Sequence, residues 1–125
     1  MTTATLFLFV LAALCGGVGA VCRFLVDSAV NRHNRLRFPL GTIVVNVTAC
    51  FLLGLLTGVV ATFPALSDLK FVLGTGLLGG YSTFSTASVE GFRQIQAGHG
   101  VSALLHTGGM LILSLIAGFV GLIIG

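Results

Sequence analysis

Nine charged residues, six basic and three acidic, are spaced along this 125-residue chain so that they leave four uncharged windows, at 1–22, 38–67, 71–89 and 94–125. Each window can hold one helix across a bilayer, which takes about 20 largely apolar residues. Only 7% of the chain is charged and 56% is hydrophobic, whereas a soluble domain is about 25% charged. A soluble catalytic domain is therefore excluded, and the length allows one domain. The pattern predicts an all-α membrane protein with four transmembrane helices, at about 4–26, 39–62, 70–96 and 100–123. The first window is not a signal peptide: it lacks a basic start, and Ala12 and Ala13 lie inside the apolar run. A net charge of +3 is too small and too localised for nucleic acid to be a partner.

The placement of the charges predicts an orientation. Arg32, Arg35 and Arg37 lie between the first two helices, Arg23 just before them, and Arg93 on the same side near the end of the third helix. The opposite side, with both termini and the 63–69 connection, carries only Lys70. The positive-inside rule then puts the first and third connections in the cytoplasm and both termini outside it. Small residues predict how the helices pack. Gly54 and Gly58, Gly76 and Gly80, and Gly16 with Ala20 have the spacing that lets helix backbones approach closely in lipid. Four short helices cannot enclose a wide aqueous path alone, so an oligomer is expected.

One window contradicts its own helix. Gly79-Gly80-Tyr81-Ser82-Thr83-Phe84-Ser85-Thr86 places glycines and hydroxyls in the middle of the third span. Backbone that leaves the helix at membrane depth is tolerated only where it is buried in protein or lines a polar cavity. The third helix is therefore expected to be broken at 79–86, with a function at the break.

Other motifs carry little. Gly74-Thr75-Gly76-Leu77-Leu78-Gly79 fits a dinucleotide fingerprint but has no strand–helix context. Asn46-Val47-Thr48 is a formal glycosylation sequon inside a span. Cys15, Cys22 and Cys50 are scattered in apolar surroundings and read as small hydrophobes. His106, within the last helix, is either a satisfied buried histidine or a relay group. No nucleophile–base pair or metal-ligand cluster can be placed, so no enzyme is expected. The polar groups within the spans are mostly neutral donors: Thr42 and Asn46 one turn apart, Ser82, Thr83 and Ser85, and Ser114. With the positive edge of an aromatic ring, such donors suit a small anion that must shed water without being held tightly.

Three stretches on successive helices resemble the Fluc/CrcB fluoride channels: Gly16–Phe24, Gly41–Asn46 and Gly79–Thr86. The resemblance spans essentially the whole chain. It implies a multi-pass protein of the bacterial inner membrane, an antiparallel dual-topology dimer with two fluoride pathways, and a structural sodium ion at its centre. The carbonyls of Gly79 and Ser82 correspond to the family's sodium ligands, and freed carbonyl oxygens are hard ligands suited to a hard cation. Asn46 and Phe84 correspond to the fluoride path, with Thr42, Thr83, Ser85 and Ser114 along its polar lining. Arg23 corresponds to a basic vestibule residue, and Glu90 to an acidic position at the end of the break helix. Fluoride that enters as the neutral acid and dissociates inside would leave passively through such a path.

The chain departs from the family in two places. Ala87 stands where a second Phe is usual, and Met110 where a Tyr precedes the helix-four Ser. Each pathway in the family draws one Phe from each subunit, so a homodimer of this chain would lack one in both. Together with the fixed orientation, this points to a non-identical antiparallel partner. Two alternatives remain open at this point: a non-conducting partner subunit, and a small multidrug-type transporter. The latter needs a membrane-embedded Glu in the first helix, and residues 1–26 contain none.

Overall fold

A computed structural model of the chain describes residues 2–33, 40–83 and 85–125, with the side chains of Ser85 and Thr86 outside the description. All elements among these residues are helices. Helix α1 spans Thr3–His33, α2 spans Leu40–Thr62, and a short turn at Pro64–Leu66 leads into α3, residues 67–81. Helix α4 spans Ser85–Gln96 and α5 spans Gly100–Ile124. Three of these, α1, α2 and α5, are long and apolar enough to cross a membrane. Helix α1 runs well past the expected end at 26, because no glycine or proline between 27 and 33 stops it and helicity need not end where the apolar window does.

Helix α3 changes its winding along its length. Ser67–Lys70 and Gly79–Tyr81 are α-helical, and Phe71–Leu78 between them is wound wider, as a π-helix. Helicity stops at Tyr81, Ser82 is extended (φ −72°, ψ 159°), and the helix resumes at Ser85. Gly79 and Gly80, at the start of the expected 79–86 break, stay helical, with Gly80 packed on α1.

The interior is built from small residues and the outside from large apolar ones. The buried hydrophobic residues are Ala12, Val45, Ala49, Leu78, Ala87 and Ala103, while Phe7, Leu14, Phe24, Leu104 and Leu115 are exposed. That inversion suits lipid, where large apolar side chains gain nothing by turning inward and close backbone packing decides association.

Two glycine seams set the topology. On the first, a Cβ on Gly76 would lie 2.6 Å from the Ala12 carbonyl oxygen, one on Gly80 would strike the Gly16 carbonyl, and one on Gly19 the Leu77 carbonyl. On the second, Gly54 meets Gly118, Gly121 meets Phe51, and Gly125 meets Leu55. Pairs one turn apart rise together, Ala12–Gly76 with Gly16–Gly80 and Phe51–Gly121 with Leu55–Gly125, so α1 runs parallel to α3 and α2 parallel to α5. Gly19 takes the part expected of Ala20, which instead lines a cavity.

The α4–α5 connection is a glycine-terminated hairpin. Gly98 has φ 82°, His99 N–H donates to the Gln94 carbonyl (2.8 Å) and Gly98 N–H to the Ile95 carbonyl (3.1 Å). This pair of bonds is the Schellman arrangement, which needs a left-handed residue after the helix. Gly98→Ala should lower stability by about 1 kcal/mol, the cost of placing a Cβ in that conformation. Thermal unfolding in detergent measures it.

Candidate ion pathway

The interruption after Tyr81 exposes backbone groups that a helix would have paired. Leaving them bare at membrane depth would cost several kcal/mol each. Side chains from α2 and α1 take over. Thr83 N–H donates to Asn46 Oδ1 (2.8 Å), and Asn46 Nδ2 donates back to the Thr83 carbonyl (2.7 Å). The asparagine amide has the donor and acceptor of a peptide group, so it pairs with Thr83 as a neighbouring backbone would. Asn46 Nδ2 also reaches Met110 Sδ (3.2 Å), and Arg23 Nη1 approaches the Ser82 carbonyl (3.5 Å). Ser82 N–H still closes the α3 turn on the Leu78 carbonyl (2.9 Å). Tyr81, just before the break, shares a hydroxyl–hydroxyl bond with Thr48 (2.8 Å).

Beside this clasp lies a cavity of about 220 Å³, with Arg23, Phe24 and Asp27 on one wall and Thr42 and Thr83 on the other. Thr42 and Thr83 are buried. The Thr42 hydroxyl donates to Glu90 Oε1 on α4, which ties α2 to the segment beyond the break. Arg23 and Asp27, one turn apart on α1, give the mouth one charge of each sign. The Asp27 carboxylate packs against Gly41, where any Cβ would collide with it.

The remaining expected residues are scattered. Ser114 lies further along α5, its Oγ buried without a hydrogen-bond partner. Phe84 lies outside the described residues, and Ser85 is placed only as the first residue of α4. At Gly79, the group that would bond its carbonyl in a continuous helix, the Thr83 N–H, is donated to Asn46 instead. That carbonyl and the one on Ser82, three residues on, are hard oxygen donors of the kind a sodium ion takes. The residues present therefore fit such an ion, although the Arg23 guanidinium touches the Ser82 oxygen at the edge of hydrogen-bond range.

Asp27, and Tyr81 as a hydrogen-bonding group, are not among the candidates the sequence singles out. The spacing of Arg23 and Asp27 was the available signal for the first. Nothing in the sequence pairs Tyr81 with Thr48.

Residues 10–125 match the family described as CrcB-like protein, Camphor Resistance (CrcB). A Cutibacterium acnes protein named Fluoride-specific ion channel FluC 2 is 47% identical over 114 residues, covering 90% of this chain and 92% of its own length. Fluoride-specific ion channel FluC 1 of Leifsonia xyli is 44% identical over 113 residues, covering 90% and 82%. Fluoride-specific ion channel FluC of Flavobacterium psychrophilum is 41% identical over 113 residues, covering 90% and 91%. The resemblance carried by the three motifs is borne out over nearly the full length. With three apolar helices long enough to span a bilayer and a family match from residue 10 to the end, the chain is a multi-pass membrane protein that belongs to the CrcB family.

Proposed function

We propose that the chain is a subunit of a fluoride-selective channel, which lets cytoplasmic fluoride leave passively and so limits its toxicity. The observation that carries this reading is the cavity beside the clasped break, walled by the buried hydroxyl residues Thr42 and Thr83 with Arg23 at its mouth. Neutral groups bind a small anion weakly enough for it to leave again, and in the single chain Thr42 shapes this wall with its hydroxyl hydrogen given to Glu90. An inside-negative potential supplies about 2.3 kcal/mol per 100 mV, so no coupled ion is required.

On this reading the chain crosses the bacterial inner membrane four times, with α3 and α4 forming one crossing on either side of the interruption. The parallel registers of α1 with α3 and of α2 with α5 support that count. Arg23, Arg32 and Arg93 then lie on the cytoplasmic side and both termini outside it. Arg35 and Arg37, which contribute to the same bias, fall outside the described residues. The subunits pair antiparallel. A sodium ion between them would be held by the Gly79 and Ser82 carbonyls, where it supplies fixed positive charge and cross-links the breaks.

The partner is a second, non-identical subunit. Ala87 is buried, at 6% exposure, so the chain offers a methyl group where the family usually places its second Phe. A non-conducting role within such a heteromer is the alternative that the same alanine favours. Reconstitution into liposomes, alone and with a family member of opposite charge bias, separates these readings. Fast fluoride efflux with the partner, and little from this chain alone, is expected. Fast efflux from this chain alone would sink the heteromer reading, and no efflux in either case would sink the channel reading.

A further inference from the structure

Tyr81 is the last helical residue before the interruption, and it is held from two sides. Its backbone packs against α1, where a Cβ on Gly19 would lie 2.9 Å from the Tyr81 nitrogen. Its side chain reaches α2, where its hydroxyl meets the Thr48 hydroxyl at 2.8 Å. Counting hydrogens identifies the donor in that pair. Thr48 has one hydroxyl hydrogen, and the carbonyls of Val44 (2.7 Å) and Val45 (3.0 Å) on its own helix engage it. Tyr81 therefore donates, and Thr48 accepts.

This bond has a counterpart across the break. Asn46, two residues before Thr48, holds both backbone groups of Thr83, two residues after Tyr81. Residues two apart on a helix do not share a face, so the interrupted segment is fastened to two flanks of α2. Ser82 sits between the fastenings with extended backbone (φ −72°, ψ 159°). Its N–H is tied to the Leu78 carbonyl (2.9 Å). The direction of its own carbonyl is then set by what holds residues 81 and 83. That carbonyl is one of the two oxygen donors that fit a sodium ion.

We propose that Tyr81 is a positioning residue for the central cation: its hydroxyl bond to Thr48 fixes the Ser82 carbonyl in the direction a sodium ion needs. Tyr81 itself donates nothing to the ion. Groups that orient a metal's ligands set its affinity along with the ligands themselves, and a carbonyl free to swing binds less tightly than one held. Asn46 alone fixes only the far end of Ser82. This inference rests on the reading in which the Gly79 and Ser82 carbonyls hold sodium.

The test follows thermal unfolding of the assembled channel in detergent while sodium replaces N-methylglucamine at constant chloride. A ligand that binds only the folded protein raises its unfolding temperature with concentration. Tyr81→Phe keeps the ring and removes the donor. The sodium concentration for half of the stabilisation should then rise about tenfold, as when a group that orients a metal ligand is lost. Thr48→Val removes the acceptor and should produce the same rise, and the double variant should add nothing further. Thr48→Ser keeps the hydroxyl and should stay within about twofold of the unmutated value. A bond that served the fold alone would lower the unfolding temperature equally with and without sodium and leave the midpoint in place. That result overturns the proposal, and so does a rise in Tyr81→Phe that Thr48→Val does not share. If neither variant assembles, isotope labelling decides. Tyr81 is the chain's only tyrosine, so labelling this subunit alone with ¹³C-tyrosine gives signals from one ring. Those signals should shift saturably with sodium, and signals that do not shift overturn the proposal. An unmutated channel that sodium does not stabilise defeats the sodium reading first, and this proposal with it.

Discussion

Asn46→Ala should unfasten the interruption and destabilise the protein by about 2–6 kcal/mol, because it strips partners from two Thr83 backbone groups at about 1–3 kcal/mol each. Both lost bonds are short, at 2.8 Å and 2.7 Å. Water cannot replace them freely, since Thr83 is buried. Asn46→Asp divides the effect. A carboxylate still accepts from Thr83 N–H, but it cannot donate to the Thr83 carbonyl or to Met110, and it adds a negative charge beside an anion path. The aspartate variant should therefore unfold at a temperature between those of Asn46→Ala and the unmutated protein. Its fluoride efflux should fall further than its stability explains. Thermal unfolding in detergent and liposome efflux measure the two quantities separately. An unchanged melting temperature in Asn46→Ala would show that the clasp is not what holds the break.

The same bonds mark how far the sequence could be read. The glycine–hydroxyl run at 79–86 and the Thr42–Asn46 spacing single out the segments that meet at the Asn46–Thr83 clasp, because helix breakers and polar groups stand out against an apolar background. They did not say which groups were free. Asn46 reads in sequence as a donor facing the anion, yet in the chain its amide is engaged by Thr83 and Met110. Thr42 likewise reads as a free hydroxyl and is bonded to Glu90, 48 residues away. Hydrogen-bond partners at that separation depend on how α2, α4 and the break meet, which no local pattern encodes. His106 is the converse case: it reads as an ambiguous buried histidine, and the fold buries it at 1% exposure with both ring nitrogens unpartnered. The Asp27–Gly41 contact was equally invisible, because it needs α1 to continue beyond the expected end of its span.

Polar groups that hold the fold and buried polar groups left without partners are therefore separable here. The break is closed from α2 and α1, by Asn46 and Arg23. Among the described residues, the buried polar side-chain atoms without partners are on α5, at His106 and Ser114, and on α4, at Gln94.

The α2–α5 seam should prove as sensitive as the clasp. Gly54→Val and Gly121→Val should each destabilise the protein by about 3 kcal/mol, at the upper end of the cost of overpacking. The obstacle in both cases is backbone: a Cβ on Gly54 meets the Gly118 carbonyl, and one on Gly121 meets the Phe51 carbonyl and lies 2.8 Å from the Leu55 nitrogen. No rotamer change removes a carbonyl, so the helices must move apart and lose contact along their whole seam. That loss is serious in lipid, where close packing rather than exclusion of water drives helices together. Asn46 and Met110 sit on the same two helices, so their contact should loosen as well. Gly17 is the control. It has nothing within 4 Å of its would-be Cβ, and Gly17→Ala should be neutral or stabilise by up to about 1 kcal/mol through helix propensity. Comparing the melting temperatures of the three variants separates close approach from a general intolerance of added bulk. Equal losses in all three, or none in Gly54→Val, would mean that the assembled protein does not use this seam.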